Sequence, residues 1–318
     1  MNILLTGGAG FIGSNVLERL LSEQHFVVVI DNYDPFYSKR MKMENLRHSS
    51  NNPNFFFEEN NLESVREVED ILKKFSIEIV IHLAGKAGVR PSVDEPESYY
   101  RSNVMATLNL LIAMKNSNVN KIIFGSSSSV YGNNEKVPFS ETDNVDNPIS
   151  PYAASKRAAE LLLYTYHSLY KVSVLCFRFF TVYGPRQRPD LAIRKFTEKI
   201  AKGLPIEIYG DGSFKRDFTY VDDIASCIAD SISKVNGYEI INLGNENPCS
   251  VLDLVKLIEV EFEKKANIIF LPENPGDVNL TYADISKARL MLGYSPQTNL
   301  SVGIKKFVNW YKKEMNLS

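Results

Sequence analysis

The chain carries no excess of charge of either sign. Its 36 lysines and arginines stand against 38 aspartates and glutamates, for a net charge of −2. That balance argues against nucleic acid or an anionic membrane surface as a partner. Cysteine is scarce as well. Cys176, Cys227 and Cys249 are an odd number without CxxC spacing, so neither a disulfide framework nor a metal site is expected, and they read as buried thiols in a reducing compartment. No apolar run approaches membrane-spanning length, and Met1 to Thr6 leads straight into glycines without the basic, cleavable pattern of a secretion signal. A cytoplasmic protein is expected. Internal repeats, low-complexity tracts and flexible linkers are missing too.

What is present is a rhythm. At 318 residues the chain is long enough for one large domain or two unequal ones. Through its first half, short apolar runs alternate with helix-length amphipathic stretches, the pattern of a parallel sheet covered on both faces. Strands are predicted at Ile3–Thr6, Phe26–Ile30, Phe55–Phe57, Ile79–His82, Lys121–Ser126, Ser173–Phe177 and Glu239–Asn242. Helices are predicted near Ile12–Leu21, Leu62–Phe75, Tyr99–Lys115, Tyr152–Tyr170, Val251–Phe262 and Ser301–Met315. After Phe180 the segments turn polar and rich in turn formers. The expected architecture is α/β, a Rossmann-type doubly wound parallel sheet (residues 1–180 plus 218–247) with a smaller, discontinuous C-terminal unit (181–217 plus 248–318).

Gly7-Gly8-Ala9-Gly10-Phe11-Ile12-Gly13 follows the first strand and opens a helix. Gly7 permits a tight turn, Gly10 lets backbone N–H groups approach a pyrophosphate, and Gly13 lets the helix pack closely on its strand. The helix N-terminus favours the negative charge. Asp31 ends the second strand, where its carboxylate accepts from both ribose hydroxyls of a dinucleotide and repels a 2′-phosphate; Asn32 rather than arginine follows. NAD is therefore the expected cofactor.

Tyr152 and Lys156 lie one helical turn apart, downstream of a serine-rich strand end, Ser126 to Ser129. A phenol is a base at neutral pH only if nearby cations stabilise its anion. Lysine at i+4 supplies one such charge on the same face, and oxidised nicotinamide would supply another.

The GxxGxxG spacing together with Ser127, Tyr152 and Lys156 resembles the extended short-chain dehydrogenase/reductase family of nucleotide-sugar enzymes, over nearly the whole chain. The resemblance implies a tightly bound NAD, regenerated each cycle and touched by Phe11, Ile12, Leu83, Ala84, Gly85, Lys86, Ser126 and Phe180 besides the glycines. Asn103 resembles the asparagine that braces the family's site. Asn61-Leu62 replaces the usual Asp-Ile pair at the adenine, where the Asn61 amide oxygen still accepts from the amino group. In such enzymes the tyrosinate takes a sugar hydroxyl proton while a hydride goes to NAD, and Ser127 shares the hydrogen bond. Dehydratase and decarboxylase relatives carry an acidic residue just after that serine; here Ser128 and Ser129 follow, which also fit as a polar strand end capping the next loop.

On the substrate side, Arg216 resembles the arginine on the diphosphate of a UDP-sugar, and Tyr209 and Asp277 resemble residues lining the uridine. Phe180-Thr181-Val182-Tyr183-Gly184-Pro185, followed by Arg188-Pro189-Asp190, resembles UDP-glucuronate 4-epimerases, whereas UDP-glucose 4-epimerases commonly have asparagine at Thr181. Ser127, Ser128, Ser129 and Thr181 would hold a C6 carboxylate, with Arg90 or Arg186 adding charge, although the arginines equally suit the diphosphate or a domain-closing salt bridge. The resemblance implies epimerisation of UDP-glucuronate at C4, with UDP-glucose epimerisation, oxidative decarboxylation and a silent nucleotide sensor left open. It also implies a homodimer through the helices at 100–117 and 152–170, which carry Leu108, Leu111, Leu161 and Leu162.

Overall fold

A computed structural model describes residues 1–272 and 279–316. Its strands are β1 (Asn2–Thr6), β2 (Phe26–Asp31), β3 (Phe55–Glu59), β4 (Ile79–His82), β5 (Lys121–Ser127), β6 (Ser173–Phe179), β7 (Thr181–Tyr183), β8 (Ile206–Tyr209), β9 (Lys215–Tyr220), β10 (Tyr238–Leu243), β11 (Pro248–Ser250) and β12 (Ile268–Leu271). The helices are α1 (Phe11–Ser22), α2 (Lys39–Leu46), α3 (Val65–Lys74), α4 (Val89–Asp94), α5 (Pro96–Tyr100), α6 (Ala106–Asn116), α7 (Pro151–Tyr170), α8 (Ala192–Ala201), α9 (Val221–Asp230), α10 (Val251–Phe262), α11 (Ser286–Leu292) and α12 (Leu300–Glu314).

Seven strands form one parallel sheet in the order β10-β6-β5-β4-β1-β2-β3. Alternation along each strand splits its apolar residues between two faces. Ile3, Leu5, Val27, Val29, Ile79 and Ile81 pack under α1, α9 and α11. Leu4, Val28, Ile30, Val80 and Ile122 pack under α3, α6 and α7. The chain reverses its direction of travel across the sheet between β1 and β4, and a crevice opens there beyond the strand C-termini.

A second, smaller body holds its own core, in which α8, α10 and α12 close over β8 and β9. It contains a three-stranded sheet, β11-β9-β7, and a two-stranded one, β12-β8. The division between bodies differs in two places from the one read from the pattern. Strand β9 runs Lys215–Tyr220 across residue 218, and Ala283, Ile285, Ala288 and Leu292 return to the core of the first body. The predicted strands are present; β4 keeps its predicted bounds and the other six run longer, with end residues that still pair, such as Asp31 with Glu59 and Ser127 with Phe179. The helix predicted over 99–115 is built from α5, a π-helical turn at Arg101–Met105, and α6.

Candidate active site

The glycine loop behaves as its spacing requires. Gly7 has φ +72°, and a Cβ there would lie 2.6 Å from the Ala84 nitrogen. A Cβ on Gly13 would overlap the Gly7 carbonyl oxygen outright. These two positions bring β1, β4 and the start of α1 together with nothing between them. Asp31 is buried and holds the loop from below, its Oδ2 accepting from Ala9 N at 3.1 Å and its Oδ1 from Tyr33 N at 2.8 Å. Burial raises its pKa against the pull of Lys42 and these two N–H groups.

One cleft collects Gly7, Gly10, Phe11, Ile12, Gly13, Asp31, Asn32, Asn61, Leu62, Leu83, Ala84, Gly85, Lys86, Ser126, Tyr152 and Lys156. It fits a dinucleotide by its side chains: backbone N–H groups and a helix start at one end, a carboxylate at the ribose position, and a phenol–ammonium pair at the far end. The Asn61 oxygen also accepts from Glu63 N at 3.1 Å, which fixes the amide.

One expectation is corrected. Phe180 turns into an aromatic cluster with Tyr131 and Phe139, and Phe179 lines the cleft instead. The two are neighbours in an extended segment, so their rings take opposite sides. Asn103 ties the Lys86 backbone to α7: its Oδ1 accepts from Lys86 N at 2.8 Å, and its Nδ2 donates to Lys86 O and Ser155 Oγ, both at 2.9 Å. Beneath it runs a relay that periodicity does not reveal. Fully buried His82 joins Thr6 Oγ1 (2.6 Å) to Thr107 Oγ1 (3.0 Å), and Thr107 donates to the Asn103 carbonyl at 2.7 Å. Burial pulls His82 down to about 3, so it is neutral.

Helix α7 begins cleanly because Ser150 caps it, accepting from Ala153 N at 3.1 Å, and Pro151 occupies its first turn. Tyr152 and Lys156 are thereby set on its inner face, 8 % and 6 % exposed. Lys156 Nζ donates to Gly125 O at 2.8 Å. Burial raises the Tyr152 pKa, while a hydrogen bond from Ser127 and the charge of Arg188 pull it back. Ser127 caps a short 3₁₀ turn, Ser128–Tyr131, accepting from Ser129 N at 3.2 Å and meeting the Ser129 hydroxyl at 3.2 Å.

Of the roles left open for the arginines, Arg186 takes the domain-closing one. Arg186, at φ +67°, turns to α1, where it pairs with Glu18 and donates to Ser14 O at 3.2 Å. It closes the second body onto the first. Arg188 enters the cleft instead, held by Asp190 through Nε (3.0 Å) and Nη2 (2.8 Å) and stacked on Phe36 with 5.2 Å to the ring centroid. Two arginines within one turn-rich stretch were the available signal; the backbone decides which of them faces the site. Arg90 and Tyr209, predicted independently, meet across the two bodies with the guanidinium 4.5 Å from the ring centroid. Thr181 begins β7, and Arg216 lies on β9 with Nη1 donating to Lys215 O at 3.0 Å. Asp277 lies outside the described residues.

The family model described as GDP-mannose 4,6 dehydratase matches residues 4–307. The chain is 44% identical to the UDP-glucuronate 4-epimerase of Thermodesulfobacterium geofontis, over 99% of this chain and 97% of that one. The UDP-glucuronic acid 4-epimerase of Bacillus cereus, solved in complex with UDP-glucuronic acid and NAD, has a TM-score of 0.93 at 36% identity, covering 99% of this chain and 100% of that one. The UDP-glucose 4-epimerase of Thermotoga maritima, solved with UDP-glucose, has a TM-score of 0.92 at 34% identity, with the same coverage of 99% and 100%.

Proposed function

Since the chain belongs to the GDP-mannose 4,6 dehydratase family, we propose that it interconverts UDP-glucuronate and UDP-galacturonate by NAD-dependent epimerisation at C4. The observation that carries this reading is a buried Tyr152, hydrogen-bonded by Ser127 and drawn towards its anion by Arg188, with Lys156 lining the same end of a cleft that begins with the glycine loop and Asp31. NAD, held by the glycine loop and Asp31, would supply reversible hydride transfer with the C4 carbon of the sugar. Tyr152 takes the C4 hydroxyl proton and returns it; Ser127 orients that hydroxyl, and the positive charge of Arg188 favours the phenolate. Arg216 and Tyr209, with Arg90 stacked on the latter, hold the nucleotide end while the keto-sugar presents its other face.

The C4 ketone is β to the C6 carboxylate, and CO2 leaves when the breaking bond aligns with the carbonyl π system. Hydroxyls of Ser127, Ser128, Ser129 and Thr181 hold the carboxylate out of that alignment without a proton donor of carboxylic strength. The Thermotoga maritima likeness supports a second reading, UDP-glucose 4-epimerisation. Incubating the protein with each nucleotide sugar and separating the products by chromatography decides between them. UDP-galacturonate should form from UDP-glucuronate; no C4 epimer from that substrate refutes the proposal, and CO2 with accumulating NADH assigns decarboxylation instead.

We also place the protein in the cytoplasm as a homodimer. Its three cysteines are free thiols, and among the described residues no helix is long and apolar enough to cross a membrane. Leu111 is core and Leu162 packs against it, but Leu161 (52 % exposed), Tyr164 (55 %) and Met105 (49 %) leave an apolar strip on the adjoining helices. Leu161→Asp should turn a dimer into a monomer in light scattering at micromolar concentration; an unchanged mass places the interface elsewhere.

A further inference from the structure

Tyr152, Lys156 and Glu160 follow one another at four-residue intervals on α7 and so share one stripe of the helix. Glu160 lies one turn below the cleft, 0 % exposed. Arg178 of β6, 1 % exposed, grips its carboxylate with two parallel bonds, Nε to Oε1 at 3.0 Å and Nη2 to Oε2 at 2.9 Å. Ser126 Oγ donates to Oε1 at 2.7 Å. On the far side of the guanidinium, Nη1 donates to the Tyr131 hydroxyl at 3.0 Å, and that hydroxyl donates to Asn242 Oδ1 at 2.7 Å.

Stability alone is a weak reason for such a pair, because desolvating two charges offsets most of their attraction and apolar replacements often serve as well. The connections are more telling. Ser126 immediately precedes Ser127, and Tyr131 ends the 3₁₀ turn that contains Ser128 and Ser129. The carboxylate–guanidinium unit therefore holds both ends of the serine segment and rises from the same helix as Tyr152. Proton transfer between Tyr152 and a hydroxyl shared with Ser127 depends on sub-ångström placement of the two elements.

The geometry points to Glu160 and Arg178 as positioning residues that lock the serine turn against the Tyr152–Lys156 face of α7. This inference rests on the epimerase reading for its choice of substrate. The pair has an electrostatic consequence as well. Lys156 faces Glu160 on α7, Cys176 on β6, His82 on β4, and the Gly125 carbonyl and Phe124 ring on β5. Burial pulls Lys156 down to about 8, while Cys176 and Glu160 act to raise it. Glu160→Gln keeps the shape but removes a negative charge and takes the carboxylate from Arg178 and from Arg157, whose Nη1 donates to Oε2 at 3.2 Å, so Lys156 should lose its proton at lower pH.

The test uses the NAD-loaded wild type, Glu160→Gln and Arg178→Lys. It compares bound NAD, kcat and KM for UDP-glucuronate across pH, and the titration of Lys156 by 13C NMR of labelled lysine, assigned with Lys156→Arg. Glu160→Gln should lower kcat about tenfold or more with KM within about threefold and NAD content unchanged, and should displace the Lys156 titration downwards. Arg178→Lys keeps the charge but loses the two-pronged grip, so it should lower kcat while leaving that titration in place. Wild-type kcat and titration in Glu160→Gln overturn the inference, as does a loss of turnover matched by an equal loss of folded protein. If neither variant folds, Ser126→Ala removes a single bond to the carboxylate: a several-fold fall in kcat at unchanged KM upholds the inference, and wild-type kcat overturns it. A wild type inert on UDP-glucuronate whose Lys156 titration still moves in Glu160→Gln refutes the substrate assignment and leaves the positioning role standing.

Discussion

Tyr152→Phe is expected to lower kcat by roughly 10²–10⁴-fold, the range of general acid–base contributions, with bound NAD at the wild-type level. The substitution removes one oxygen and little else. Phenylalanine keeps the ring that packs edge-on against Tyr99, 6.1 Å between centroids, and α7 keeps its Ser150 cap. The lost oxygen is the group that Ser127 meets and that Arg188 favours as an anion. Because burial holds the Tyr152 pKa above its ordinary value, the fraction of phenolate, and with it the rate, should rise with pH in the wild type. The variant has no such group, and its residual rate should be flat across the same acidic limb. NAD released from denatured protein and product formation followed by chromatography measure the two halves of the claim. Turnover in the wild-type range would remove Tyr152 as the base.

The parts of this site that were legible in the sequence are those in which one residue type answers one local demand. Gly7 and Gly13 sit where a side chain has no room, and Asp31 sits at a strand end facing a helix start, so spacing alone locates them. The seven-stranded sheet was legible for a similar reason: its inner strands are buried on both faces and read as unbroken apolar runs. The second body's strands do not. Lys215–Tyr220 opens on three consecutive charged residues that continue the preceding polar loop, and Pro248–Ser250 has only three residues, so neither rises above its surroundings. Arg186 and Arg188 are chemically identical and two residues apart; only a backbone in the left-handed region at Arg186 separates the one that ties α1 from the one that enters the cleft. The π-helical turn that aims Asn103 inserts one residue into a helix and leaves no compositional trace. Glu160 was not read from the sequence: its partner Arg178 lies on a strand, and periodicity within a helix says nothing of strands.

Gly13→Ala is expected to abolish retention of NAD and to destabilise the fold, against the direction that helix propensity gives. Gly13 lies within the first turn of α1, where alanine would by itself favour the helix by about 1 kcal/mol. Its Cβ, however, would overlap the Gly7 carbonyl oxygen and approach Gly8 Cα to 2.8 Å. Both neighbours are backbone and neither can rotate away. Overpacking of a well-fitted core costs about 1–3 kcal/mol when side chains can yield, so the overlap here outweighs the propensity gain. Relief requires α1 to move off β1, and that motion pulls the helix N-terminus and the loop N–H groups away from the position of the pyrophosphate. Gly10→Ala provides the graded control. Its Cβ meets only the Gly7 oxygen, at 3.1 Å, and its φ of −73° suits any residue, so it should keep a substantial part of the cofactor. Cofactor content after purification and the thermal midpoint with and without added NAD give the order wild type, Gly10→Ala, Gly13→Ala. Equal NAD content in wild type and Gly13→Ala would mean that the pyrophosphate is not held by this turn.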